Sequence, residues 1–320
     1  MNQTMHMKKN YTAHLCMFVA SIIWGLMSPV GKDILSSDIT AFTLVSFRMF
    51  GGALCFWIAS LFTKSEEVPP HDLLKMFFAS LFLIVFNQGM FIFGLSLTSP
   101  IDAAIISTLA PIVTMILAAI YLSEPVTGKK VSGVFVGAIG ALILVLGSRA
   151  AGGRSSSVLG DLMCFTAQVS YSIYLTFFKG LLNKYHAVTC MKWMFTYSAI
   201  CFIPFSYKEM STLNWAGVPT HVWGEVAFVI FGATFLTFLL LMAAQRVLRP
   251  TVLSMYNYVQ PIVASIVAVI WGLGTFGWSK ALAIVLVFLG VYIVTQSKSK
   301  AQMDAEKLAA EQTTEAHGKE

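Results

Sequence analysis

An arginine within an apolar run is the clearest chemical signal in this sequence. Arg48 stands in the stretch AFTLVSFRMFGGALCFWIAS, where insertion scales charge about 2.5–3.5 kcal/mol for an arginine at the centre of a membrane-crossing helix. Either it clamps a substrate carboxylate or contacts a gate, or it snorkels toward the outer interface or bonds helix carbonyls. Neutral polar and aromatic residues share the apolar runs: Trp24 and Ser28, then Asn87 and Gln88, then Gln168, Tyr171 and Tyr174, then Asn257, Tyr258 and Gln260. Amide side chains facing lipid would lack partners, so these residues are expected to point into the bundle or a wet cavity as a substrate-binding cluster. Gln168, Tyr171 and Tyr174, spaced by threes, read as one helical face. Pro111 and Pro261 fall in mid-run and are read as gating or hinge positions, because proline removes a backbone bond and kinks a helix.

These residues serve binding better than catalysis, and no catalytic residue, metal ligand or cofactor is assigned. Asp102, Glu124, Asp161 and Glu225 sit near the ends of apolar runs, and no Asp, Glu or His lies mid-run. Proton-driven carriers usually bury such a group there. The string Gly272-Leu-Gly-Thr-Phe-Gly277 spells GxGxxG, but it bridges two apolar runs and is not followed by an acidic residue before the tail, so it is not a dinucleotide site. The cysteines Cys16, Cys55, Cys164, Cys190 and Cys201 have no CxxC spacing and read as small buried hydrophobes.

The elements that carry these residues follow from composition. The chain has 320 residues, 57% hydrophobic and 11% charged, against about 25% charged in soluble domains. A hydrocarbon layer about 30 Å thick takes about 20 apolar residues per helix. Ten such runs are present, near 13–31, 40–62, 73–95, 101–121, 130–148, 159–178, 188–206, 223–244, 252–271 and 279–296. The expected fold is all-α and integral to the membrane. Basic residues decide its orientation, because short cytoplasmic loops are rich in Lys and Arg. A cytoplasmic N-terminus leaves only Lys32, Arg149, Arg154, Lys208 and Lys280 outside, so both termini are placed inside. The net charge of +6 is thereby explained by topology and not by nucleic acid.

The sequence also repeats. SPIDAAIISTLAPIVTMILAAIY at 99–121 aligns with RPTVLSMYNYVQPIVASIVAVIW at 249–271, matching Pro100 with Pro250 and Pro111 with Pro261, while Gly140 meets Gly290. A displacement of 147 places Trp24-Gly25 on Tyr171-Ser172. Each unit holds five runs, and an odd number forces the second copy to enter from the opposite face. The expected organisation is a cytoplasmic segment 1–12, a five-helix repeat 13–148, a linker 149–158, an inverted five-helix repeat 159–296 and a polar cytoplasmic tail 297–320. Inverted repeats are an architecture of secondary transporters with a site near the midplane.

Over about 13–296 the chain resembles the drug/metabolite transporter superfamily, specifically its EamA-type exporters. The resemblance rests on Trp24-Gly25, Arg48, Pro111 and Pro261, and the LSEP turn from Leu122 to Pro125 followed by Gly133, Gly137 and Gly140. One departure is Gly274, which stands opposite Glu124 where the family often repeats the acid. The resemblance implies alternating-access transport, without ATP, of small neutral or zwitterionic metabolites such as amino acids, in a bacterial inner membrane. A sugar or nucleotide-sugar carrier is the alternative within the superfamily, and a non-transporting scaffold or sensor the alternative outside it. Expected partners are the lipid bilayer and a small-molecule substrate. The GxxxG spacing at Gly133 serves either packing within the chain or a homodimer seam. Inversion requires that single cysteines introduced at Gly128 and Thr275 be labelled from opposite sides of the membrane; labelling from one side contradicts it.

Overall fold

The computed structural model describes residues 2–98, 103, 106–148, 157–270, 277–298 and 303. Outside them lie Pro100, Asp102, most of the expected linker, the GxGxxG string apart from Gly277, and nearly all of the tail. Among the described residues no strand occurs. The helices of the first half are α1 (Asn2–Ser36), α2 (Ala41–Ser60), α3 (Pro70–Leu97), α4 (Ala110–Tyr121) and α5 (Gly128–Ser148). The second half holds α6 (Val158–Phe177), α7 (Ala187–Thr212), α8 (Thr220–Gln245), α9 (Pro250–Met255), α10 (Val259–Ile270) and α11 (Trp278–Thr295). A single 3₁₀ turn, Tyr256–Tyr258, separates α9 from α10.

Among the described residues, five helices are long and apolar enough to cross a bilayer: α1 over Asn10–Ser36, α2, α3, α7 and α8. α4 and the Ala281–Thr295 part of α11 are shorter apolar helices. α6 is more polar because Gln168, Ser170 and Ser172 are buried along it. The surface is the inverse of a water-soluble protein's, with Leu54, Phe62, Ile120, Ile270 and Trp278 exposed and a polar series inside. Such an apolar exterior suits lipid.

Local chemistry sets the helix ends. The Thr40 hydroxyl accepts from the Thr43 amide at 3.3 Å and caps α2, while Pro70 and Pro250 occupy first-turn positions where the missing N–H costs nothing. α4 ends in the LSEP turn. Ser123 takes φ 51°, and the Leu122 and Glu124 amides both donate to Ala118 O, at 3.0 and 3.1 Å. That left-handed closure turns Glu124 back toward α5.

Pro111 and Pro261 do not kink continuous helices, which corrects the mid-helix hinge read from sequence. Pro111 opens α4 after a turn at residues 108–109, and Pro261 lies in the first turn of α10, just after the 3₁₀ turn. A proline ring clashes with the carbonyl four residues earlier, so the chain breaks before it and restarts.

The two halves pair reciprocally. α1 packs on α8 as α3 packs on α6, and α1 packs on α10 as α4 packs on α6; α2 meets α7, and α5 meets α11. The third and eighth helices each contain a π-helical stretch, Leu81–Gly89 and Phe228–Leu236. These lie 147 positions apart, the displacement that carries Trp24 onto Tyr171. Glycines allow the closest approaches. A Cβ on Gly25 would lie 2.8 Å from Val263 Cβ, and one on Gly290 would lie 2.5 Å from the Gly137 nitrogen and 2.6 Å from the Gly133 oxygen. The glycine spacing of α5 is therefore filled from within the chain, by α11 and by Tyr258. Gly290→Ala places a methyl against immovable backbone and is expected to lower stability by about 1–3 kcal/mol. Gly180→Ala, with nothing within 4 Å of its Cβ, is expected to stay within about 0.5 kcal/mol; unfolding in detergent compares the two.

Candidate functional site

A cavity opens where helices of both halves converge. Its empty space, including the part continuous with solvent, is about 540 Å³. α1 contributes Trp24 and Met27, α2 Arg48, and α3 Leu83, Asn87, Gln88 and Phe91; α6 contributes Gln168 and Tyr171, the 3₁₀ turn Asn257, and α10 Gln260.

The polar walls are tied to the irregular backbone. Ala233 lies in the π-helical stretch of α8, and its carbonyl accepts from Trp24 Nε1 at 3.3 Å, Arg48 Nη2 at 3.2 Å and Thr237 Oγ1 at 2.9 Å. A widened π turn loosens the regular ladder and leaves carbonyls for side chains. Asn87 and Gln88 sit in the matching stretch of α3. Asn87 Nδ2 donates to Ala167 O at 2.9 Å, fastening α3 to α6, and Gln88 Nε2 donates to Asn87 Oδ1 at 2.6 Å. Gln168 Nε2 reaches Ser107 Oγ at 3.3 Å, and Gln260 Nε2 reaches Asn257 Oδ1 at 3.3 Å. Trp24 is held edge-on against Phe238, whose ring meets Phe195 at 5.2 Å.

Among the described residues, two polar atoms of the wall find no partner. Arg48 is 3% exposed, with its Nε unpaired, and the Tyr171 hydroxyl is buried and unpaired. Arg48 thus does not snorkel to an interface; it stays inside and bonds a helix carbonyl.

Seven polar or aromatic residues read from sequence as pocket residues meet here: Trp24, Asn87, Gln88, Gln168, Tyr171, Asn257 and Gln260. Tyr174 and Tyr258 do not. Tyr174 is fully buried with its hydroxyl 3.5 Å from Met242 Sδ, and Tyr258 donates to Val134 O at 3.2 Å while its ring covers Gly137. The single face expected for Gln168, Tyr171 and Tyr174 fails for a geometric reason. At 3.6 residues per turn, each step of three drifts by about 60°, so Tyr174 is rotated about 120° from Gln168. The side chain of Ser28 lies outside the described set. Met27, Leu83 and Phe91 were not singled out by sequence, because apolar residues in apolar runs carry no distinguishing signal.

Buried charges close one end of the bundle. Lys130, 1% exposed, donates to Glu124 Oε2 at 2.9 Å, and Thr251 Oγ1 of α9 lies 3.5 Å from the same oxygen. Lys179 Nζ donates to Leu248 O at 3.2 Å. Nearby, Asp72, 2% exposed, accepts from Tyr185 Oη at 2.7 Å and pairs with Lys75 at 3.3 Å and Lys184 at 3.4 Å. The bond to Asp72 pushes the Tyr185 phenol up to about 12. Arg246 donates to the Tyr185 carbonyl, joining two loops of the second half.

Comparison with known proteins places this chain in a transporter family. The sequence model of the EamA-like transporter family matches residues 11–146 and again 158–296. The uncharacterized transporter YyaM of Bacillus subtilis is 28% identical over 206 residues, covering 64% of this chain and 67% of that one. The uncharacterized transporter YetK of the same organism is 22% identical over 313 residues, 96% of this chain and 93% of its own length. WAT1-related protein At1g43650 of Arabidopsis thaliana is 28% identical over 43% of each chain. A solved crystal structure shares the fold with a TM-score of 0.71 at 18% identity, covering 89% of this chain and 98% of that one. Lys130→Met strands a buried Glu124 carboxylate and is expected to cost about 3–5 kcal/mol. Adding Glu124→Gln should restore most of that loss, as read by thermal unfolding of single and double variants.

Proposed function

From the premise that the chain belongs to the EamA-like transporter family, we propose that it is a secondary carrier working without ATP by alternating access. Its substrates in this reading are small neutral or zwitterionic metabolites such as amino acids, and its direction is export or exchange. The observation that carries the proposal is the composition of the cavity wall, to which α1, α2 and α3 of one half and α6, the 3₁₀ turn and α10 of the other contribute. Relative rocking of two such halves changes which end of the cavity is open. Ten crossings as two inverted five-helix repeats agree with the reciprocal helix pairing and with the helix breaks before Pro111 and Pro261.

Amide and aromatic side chains suit neutral or zwitterionic solutes, because they offer hydrogen bonds without a dense field of one sign. No Asp, Glu or His lines the cavity among the described residues, so proton coupling through the cavity wall is not part of the proposal. Both termini and the Lys130, Lys179 and Arg246 end are assigned to the cytoplasm, following the basic-residue bias. A bacterial inner membrane is the assigned location.

Proteoliposomes loaded with a broad metabolite mixture test the proposal by counterflow. The expected result is exchange of at least one small metabolite, with Trp24→Ala and Gln168→Leu each lowering the initial rate roughly tenfold or more through lost wall contacts. Absence of exchange for every metabolite, with correctly folded protein in the vesicles, would refute it.

A further inference from the structure

The charge inventory of the cavity goes beyond the carrier reading and rests on it. A guanidinium keeps its proton in any protein setting and offers five N–H donors. Arg48 spends one on a protein acceptor among the described residues, Ala233 O at 3.2 Å, while its Nε finds nothing. Even that acceptor is shared, since Trp24 Nε1 and Thr237 Oγ1 donate to the same oxygen. A carbonyl has two lone pairs, so three donors leave each bond weakened. Among the described residues no Asp or Glu lines the cavity and no ion pair includes Arg48. A buried positive charge is left without a counter-ion among the described residues, beside the cavity.

We infer that Arg48 anchors a ligand carboxylate and that the cavity selects the carboxylate while giving no selection to an ammonium group. A carboxylate matches the planar fork of a guanidinium with two parallel hydrogen bonds. The Tyr171 hydroxyl, buried and without a partner among the described residues, is a further donor in the same wall. The other half of an amino acid meets no counter-charge. The acceptors open to an ammonium group are neutral amide oxygens, of which Asn87 Oδ1 and Asn257 Oδ1 already accept from Gln88 and Gln260, and Arg48, the one fixed charge among the described wall residues, repels a cation. Within the zwitterionic class the recognised feature is therefore the acid group, and a deaminated acid of the same side chain fits the same site.

Thermal unfolding of the full chain in detergent tests this with head-group series. Amino acids, their 2-oxo acids, their amides and their decarboxylated amines are compared on alanine, serine, leucine, methionine and phenylalanine side chains at millimolar concentration. Bound ligand raises the unfolding temperature by mass action. Protection is expected from an amino acid and equally from its 2-oxo acid, and neither from the amide nor from the amine. Arg48→Gln is expected to weaken carboxylate binding roughly 10- to 100-fold, the worth of a charge-assisted bond, and Tyr171→Phe by less. Protection by amides or amines equal to that by acids overturns the inference, as does undiminished binding in Arg48→Gln or no protection by any acid. The head-group ranking is read on the unsubstituted chain, so it holds even where a variant fails to fold. Counterflow of a carboxylate-free amine would leave the carrier standing and remove this inference. Acid protection that depends on Arg48, without transport of any metabolite, would do the reverse.

Discussion

Hydrocarbon offers no hydrogen-bond partner, and the arrangement of this bundle follows from that. Each amide, hydroxyl or guanidinium on an apolar helix must find its acceptor on another helix or in a wet space between helices. Asn87 finds Ala167, Thr114 finds Ser172 at 2.9 Å, and Gln168 finds Ser107. These bonds cross between halves, so satisfying the polar groups and docking the halves are one process. The cavity is what remains where they converge without closing completely.

Irregular backbone makes that convergence productive. A regular helix consumes its own carbonyls, whereas the π-helical stretches of α3 and α8 and the 3₁₀ turn before α10 loosen the ladder beside the cavity. Ala233 shows the result, with one carbonyl serving an indole, a guanidinium and a hydroxyl from three helices. Close packing elsewhere supports this looseness. α5 and α11 approach until Gly133 and Gly290 admit no Cβ, and they stand apart from the cavity wall. Rigid contact and adjustable contact are thus segregated.

Charge is divided in a similar way. At one end of the bundle cations are matched: Lys130 has Glu124, and Lys75 and Lys184 have Asp72. Those pairs are satisfied within the protein and hold loops together. Arg48, buried like Lys130, has no carboxylate partner among the described residues. Burying an unpaired charge is expensive, and a site that receives an anion recovers that cost upon binding.

The sequence alone was enough to determine helices, lipid and duplication. Runs of about 20 apolar residues have one stable form in a bilayer, and the doubled Pro-Ile-Val segments mark a repeated unit. It also drew most of the cavity's polar wall, because a glutamine or asparagine in an apolar run has nowhere else to go. Its errors came from local geometry. Spacing by threes did not keep Tyr174 on the face of Gln168, and Pro111 and Pro261 begin helices instead of bending them. What only the tertiary structure decided is who meets whom: that Gly133 and Gly137 pack within the chain, that Lys130 buries against Glu124, that Met27, Leu83 and Phe91 line the site, and that Arg48 faces it without a counter-charge. Periodicity reports how a helix divides its own residues between apolar and polar surroundings. Pairing across 80 or 185 positions, as for Asn87 with Ala167 and Arg48 with Ala233, depends on the rotation and depth of each helix against its neighbours, which packing of the whole bundle sets.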